Sequence, residues 1–149
     1  MGVRGNTRGA NGTGDEEMIA VTCLAALIFF EARGESLDGQ LAVGQVAMNR
    51  MESPRWPNDM CAVANQSKQF SYTHDGLSDN PERHINNSRD AKALVIAREI
   101  AEEFLIKGVR FGLTSTHYHT VDVSPYWSRT YALDGRIGRH LFYTAPANQ

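Results

Sequence analysis

Ile19 to Phe30 form a run of twelve residues that are all apolar except Thr22. As a helix, such a run falls short of the roughly 20 residues needed to cross a bilayer. It is preceded by Asp15-Glu16-Glu17, where an export signal would carry positive charge. Three acids do suit a helix N-terminus, whose exposed amides attract negative charge. The run is therefore expected to be a core helix, starting near Asp15, reaching about Arg33 and stopping at Gly34. No export signal is read in it.

The rest of the chain must be arranged around that helix, and 149 residues suffice for one domain with a real core. Met1 to Gly14 hold five glycines and little that is apolar beyond Val3 and Ala10. That composition does not repay its ordering entropy, so residues 1–14 are read as a flexible leader and 15–149 as a single catalytic domain. A second helix is expected from Asp38, as N-cap, to about Met51, with Leu41, Val43, Val46, Ala47, Met48 and Met51 forming a broad apolar face. Asn58 to Asn65 suggest a short helix, and Asn80-Pro81-Glu82 a helix start with Pro in the first turn. The strongest periodicity spans Ser88 to Lys107, where Ala91, Leu94, Val95, Arg98, Ala101, Phe104 and Leu105 recur at steps of three and four before Gly108. Beyond it Thr, Tyr, His and Val dominate, which predicts two short strands, about Leu113–Thr120 and Ile137–Tyr143, joined by a long loop. The fold class is α+β, mostly α, with a small β element near the C-terminus.

A net charge of −2 provides no global attraction to nucleic acid. Arg129, Arg136, Arg139 and His140 make a local basic cluster that also reads as a solvated face. Cys23 and Cys61 are too few for a disulfide scaffold and lack metal-site spacing. Cys23 is expected to be a small buried hydrophobe, with a disulfide between the two cysteines as the less favoured alternative.

Glu31 follows Leu27-Ile28-Phe29-Phe30 directly. A carboxyl group at the edge of an apolar wall is desolvated, which favours its protonated form and suits it to general acid chemistry. The alternative is an exposed helix end paired with Arg33. Glu35 shares a face with Glu31 only if the helix continues through Gly34. In Thr116-His117-Tyr118-His119-Thr120 a strand would turn His117 and His119 to one side and Tyr118 to the other. Two histidines on one face also fit a zinc site, with His140 or His74 as third ligand, and hence a metal-dependent amidase or peptidase. Histidines lining a polar cleft are the commoner meaning. Trp127 is read as a stacking surface for sugar rings and Trp56 as a loop plug.

Five ordered motifs then resemble one family. They are Glu31-Ala32-Arg33-Gly34-Glu35 with Gly39-Gln40 and Asn49-Arg50; Trp56-Pro57-Asn58; Gln69-Phe70-Ser71 with Asp75-Gly76; Thr116-His117-Tyr118-His119 with Pro125 and Trp127; and Ile137-Gly138 with His140, Phe142 and Tyr143. Together they are similar to the spore-cortex-lytic and cell-wall hydrolase family (SleB-like). The resemblance implies a compact lysozyme-like, lytic-transglycosylase-like helical domain. It implies cleavage between N-acetylmuramic acid and N-acetylglucosamine in peptidoglycan glycan strands, with Glu31 as the catalytic acid. It makes Gln69, Ser71, Tyr118, His119 and Trp127 substrate-binding and Glu35, Phe70, His117 and His140 supporting, with no cofactor and no metal. It further implies a monomer without stable membrane association. With no signal peptide or separate wall-binding domain read in the sequence, the context resembles a bacteriophage endolysin, held in the host cytoplasm until a pore-forming partner releases it. A muramidase using a second carboxylate (Glu35, Asp38, Asp75 or Asp122) and a non-catalytic wall-binding module remain as other readings.

Overall fold

The computed structural model describes residues 14–66 and 80–147. Helix α1 spans Gly14–Ala32 with Asp15, Glu16 and Glu17 in its first turn. Leu24, Leu27, Ile28 and Phe29 on it are fully buried, so the apolar run is indeed the centre of the core. Helix α2 is Leu37–Met51, α3 is Met60–Gln66 and α4 is Ser88–Leu105. α1 packs against all three of the others. Between α2 and α4 the Phe104 ring packs directly on the backbone at Gly44, where a Cβ would sit 2.8 Å from Phe104 Cε2.

The helix starts depart in detail from the expectation. Ser36, not Asp38, caps α2: its backbone is extended and its hydroxyl accepts from Gly39 N at 3.2 Å. Asp38 falls in the first turn, where its charge faces the exposed amides. Asn80 caps a 3-10 turn, Pro81–His84, and Asn87 caps α4 by accepting from Asp90 N at 2.8 Å. The face that α4 buries is also rotated. Ala93, Leu94, Ala97, Ile100, Ala101 and Phe104 are inside, whereas Ala91, Val95 and Arg98 from the expected stripe are exposed. Steps of three and four ran through both sets, and contact with α1 selected one.

The β element has three strands where two were expected: β1 His117–Thr120, β2 Ala132–Ile137 and β3 His140–Thr144. They form one antiparallel sheet in the order β1-β3-β2. All of β2 but Ile137 falls in the expected connecting loop, because Ala-Leu-Asp-Gly-Arg-Ile shows no apolar alternation. It is a largely exposed edge strand, broken by a bulge between Leu133 and Gly135. In that bulge the Asp134 carboxylate accepts from the hydroxyls of Ser115 and Thr144, which ties the strand ends together.

Cys23 and Cys61 are joined in a disulfide, with Cα atoms 5.1 Å apart. This corrects the reading of Cys23 as a free buried hydrophobe. The pair lies 38 positions apart in sequence, and it is the packing of α3 against α1 that brings the two together.

Candidate active site

The site is assembled from α2 outward. Gln45, Asn49 and Arg50 are polar residues on a largely buried helix, and each engages the segment that leads into β1. Gln45 Oε1 accepts from Phe111 N at 2.6 Å. Asn49 Nδ2 donates to the carbonyls of Leu113 and Ser115, both at 2.8 Å. Arg50 Nε donates to Thr116 O at 2.7 Å. Burial pushes the Arg50 guanidinium down to about 10, which leaves it cationic at neutral pH, and it lies over the Trp56 ring at 5.1 Å. This clamp was missed as a function of these residues. The available signal was a polar pair spaced by four, Gln45 and Asn49, inside an apolar helix; Gln45 Nε2 donates to Asn49 Oδ1 at 2.8 Å.

With that segment held, β1 alternates as its pattern predicts. Tyr118 turns inward and is 2% exposed. Its hydroxyl donates to Glu31 Oε1 at 3.0 Å, so the last turn of α1 and the first strand meet at one hydrogen bond. His117 and His119 face the other way. There Trp127 lies 5.0 Å from His117 and 5.7 Å from His119, ring centre to ring centre. Tyr131 stacks on Trp127 at 5.4 Å, and His119 Nε2 is 2.9 Å from the Tyr143 hydroxyl. Burial, with Arg50 adding to it, pushes the His117 imidazole down to about 4. Trp56 is half-buried and edges against His117 at 6.1 Å, as a plug would.

The structure thus separates the predicted residues into two groups. Glu31, Tyr118 and His140 lie on the inner side of β1, and His117, His119 and Trp127 on the outer side. A zinc site from His117, His119 and His140 does not form, because His140 is on the opposite sheet face. Glu35 anchors a turn: its Oε1 accepts from Arg139 N at 3.2 Å, and Gln40 Nε2 donates to its carbonyl at 3.1 Å. Asp122 pairs with Arg139. Gln69, Phe70, Ser71, His74 and Asp75 lie outside the described residues.

A carboxyl group at the end of a buried apolar helix, met by a tyrosine from a small sheet, defines the class as a lysozyme-like, mostly helical domain. Comparison with known proteins agrees. The chain belongs to the cell wall hydrolase family, which matches residues 34–143. It is 29% identical over 125 residues to the spore cortex-lytic enzyme of Bacillus subtilis, covering 82% of this chain and 36% of that one. The chain therefore spans about a third of that relative's length. Two solved structures are similar at 26% identity over 84% of this chain. They are the catalytic domain of the Bacillus cereus SleB protein (89% of it covered, TM-score 0.59) and that of the germination-specific lytic transglycosylase SleB from Bacillus anthracis (93%, TM-score 0.62).

Proposed function

We propose that this domain cleaves the glycan strand of peptidoglycan between N-acetylmuramic acid and N-acetylglucosamine as a lytic transglycosylase. The observation that carries the reading is the hydrogen bond from Tyr118 to Glu31. It fixes the carboxyl group of a residue at the end of α1, so that the group is oriented before substrate arrives. Protonated Glu31 gives its proton to the glycosidic oxygen as that bond breaks. The carboxylate left behind takes the proton of the muramic acid 6-hydroxyl, whose oxygen closes onto the anomeric carbon as a 1,6-anhydro ring. Glu31 ends the cycle protonated, and no water is consumed.

A two-carboxylate muramidase is less well supported. Glu35 is engaged with the Arg139 amide and Asp122 with the Arg139 side chain. The membership of the family and the lytic transglycosylase among the structural neighbours favour the single-carboxylate route. The outer group of His119 and Trp127, together with Gln69 and Ser71, is proposed to hold flanking sugars.

The test is Glu31→Gln, which keeps shape and removes the transferable proton. Release of soluble fragments from purified sacculi should fall by about 10²–10⁴-fold, with the circular dichroism spectrum unchanged. Mass spectrometry of the parent's products should find anhydro ends, one water lighter than hydrolysed ones. Reducing ends throughout would favour the muramidase, and an unimpaired variant would remove the proposal.

For delivery, we propose that the enzyme works outside the cytoplasm after release by a pore-forming partner. No helix among the described residues is long and apolar enough to cross a membrane, and a disulfide is typical of an oxidising compartment. Expression inside a Gram-negative cell should be tolerated until the inner membrane is permeabilised. Lysis without a permeabiliser would contradict this.

A further inference from the structure

The Tyr118 ring, whose hydroxyl donates to Glu31, has a second neighbour on β3, His140. It is 2% exposed, and its ring meets the Tyr118 ring nearly at right angles with centres 5.0 Å apart. Phe142 stands close to both, 5.8 Å from Tyr118 and 6.1 Å from His140. His140 Nδ1 is buried with no hydrogen-bond partner among the described residues. An apolar ring would fill this place without burying an unpaired nitrogen, so the imidazole is costly as packing alone. A proton on Nδ1 would put an unpaired N–H⁺ among aromatic rings, which is costlier still.

We propose that His140 is a positioning residue for the reaction proposed above: its neutral ring packs on Tyr118 and holds it to Glu31, and its protonation loosens that hydrogen bond. The inference rests on Glu31 being the acid/base. It goes beyond a general supporting role, because it makes the Glu31–Tyr118 pair sensitive to acid through a group in ring contact with Tyr118.

The charged and titratable surroundings of His140 come from several elements. Glu35, from the α1–α2 connection, favours the proton, while Arg139 of the β2–β3 turn and His119 of β1 oppose it. Tyr118 touches both His140 and Glu31 of α1. Burial is the largest influence and holds the imidazole below its ordinary range. The neutral form therefore prevails at neutral pH and gives way on the acid side.

The test measures fragment release from sacculi against pH for the full chain, His140→Phe, Tyr118→Phe and the double variant. Measurements are kept to pH values where circular dichroism shows the fold intact. The parent should lose rate on the acid side, and His140→Phe should lose that acid limb. At the plateau, Tyr118→Phe should cost up to about 10²-fold, the scale of a misplaced catalytic group, and His140→Phe less, because a phenyl ring still packs on Tyr118. The double variant should match Tyr118→Phe to within about twofold, the error expected of a thermodynamic cycle. An acid limb that survives in His140→Phe, or single effects that multiply in the double variant, would overturn the proposal. Should His140→Phe not fold, NMR titration of the parent reads the same coupling. Tyr118 ring signals should then move with the His140 midpoint, and a Tyr118 indifferent to that titration would overturn it. A fully active Glu31→Gln would instead sink the function it rests on.

Discussion

His117 shows what a few ångströms of neighbourhood do to one side chain. It sits between Trp56, Trp127 and Tyr131, and burial followed by the Arg50 charge lowers its proton affinity to about 4. The unfolded chain takes up this proton near pH 6.5, the folded chain only near 4. Between those values the unfolded state binds more protons, so stability is full above pH 6.5 and declines as pH falls toward 4. His140, lowered in the same direction, adds to the loss. Urea unfolding followed from pH 7 to pH 4.5 should show a falling midpoint, and His117→Phe should flatten part of that slope. An unchanged slope in the variant would contradict the assignment. The histidine spacing and its two-sided strand were legible beforehand, because alternation is a local property of a strand. Which rings would surround His117 was not, since Trp56 comes from the other half of the chain.

At the scale of elements, the small sheet is docked to the helices by carboxylates at either side of Gly34. Glu31 meets β1 through Tyr118, and Glu35 meets the β2–β3 turn through the Arg139 amide. Gly138 permits the second contact. Its φ is +59°, a region that disfavours side chains by roughly 1–2 kcal/mol, and a Cβ there would collide with Glu35 Oε1. Gly138→Ala should therefore destabilise by more than the backbone strain alone, and it should also shift His140 two residues on. Gly138→Asn tolerates the dihedral but keeps the collision, so it should remain destabilised in denaturant titration. If Gly138→Asn were as stable as the parent, the close approach to Glu35 would not matter. The pairing of Ile137-Gly138 with Glu35 was present in the sequence only as two motifs far apart. No local rule connects a helix C-terminus to a turn more than a hundred residues later.

Across the whole molecule, the disulfide closes a loop that contains Glu31 and all of α2. With its ends 38 positions apart in sequence, chain entropy assigns it a stabilisation of about 4 kcal/mol. In a chain of this size, reduction should lower the melting temperature by on the order of 10 °C, as should Cys23→Ala with Cys61→Ala. Equal melting temperatures with and without a phosphine reductant would show that α3 needs no tether. What the sequence by itself determined was the central helix, because a run of twelve residues, apolar but for Thr22 and flanked by charge, admits few other burials. It also determined the placing of Glu31 at that helix's end and the order of helices before strands. These depend on neighbours along the chain. Only the tertiary structure decided that Cys23 finds Cys61, that α4 turns Ala93 and Ala97 inward rather than Ala91 and Val95, and that an unpatterned segment becomes β2. It alone brought Tyr118 into contact with both Glu31 and His140. Those outcomes depend on which surfaces come into contact across long stretches of chain, and that is settled by packing rather than by local preference.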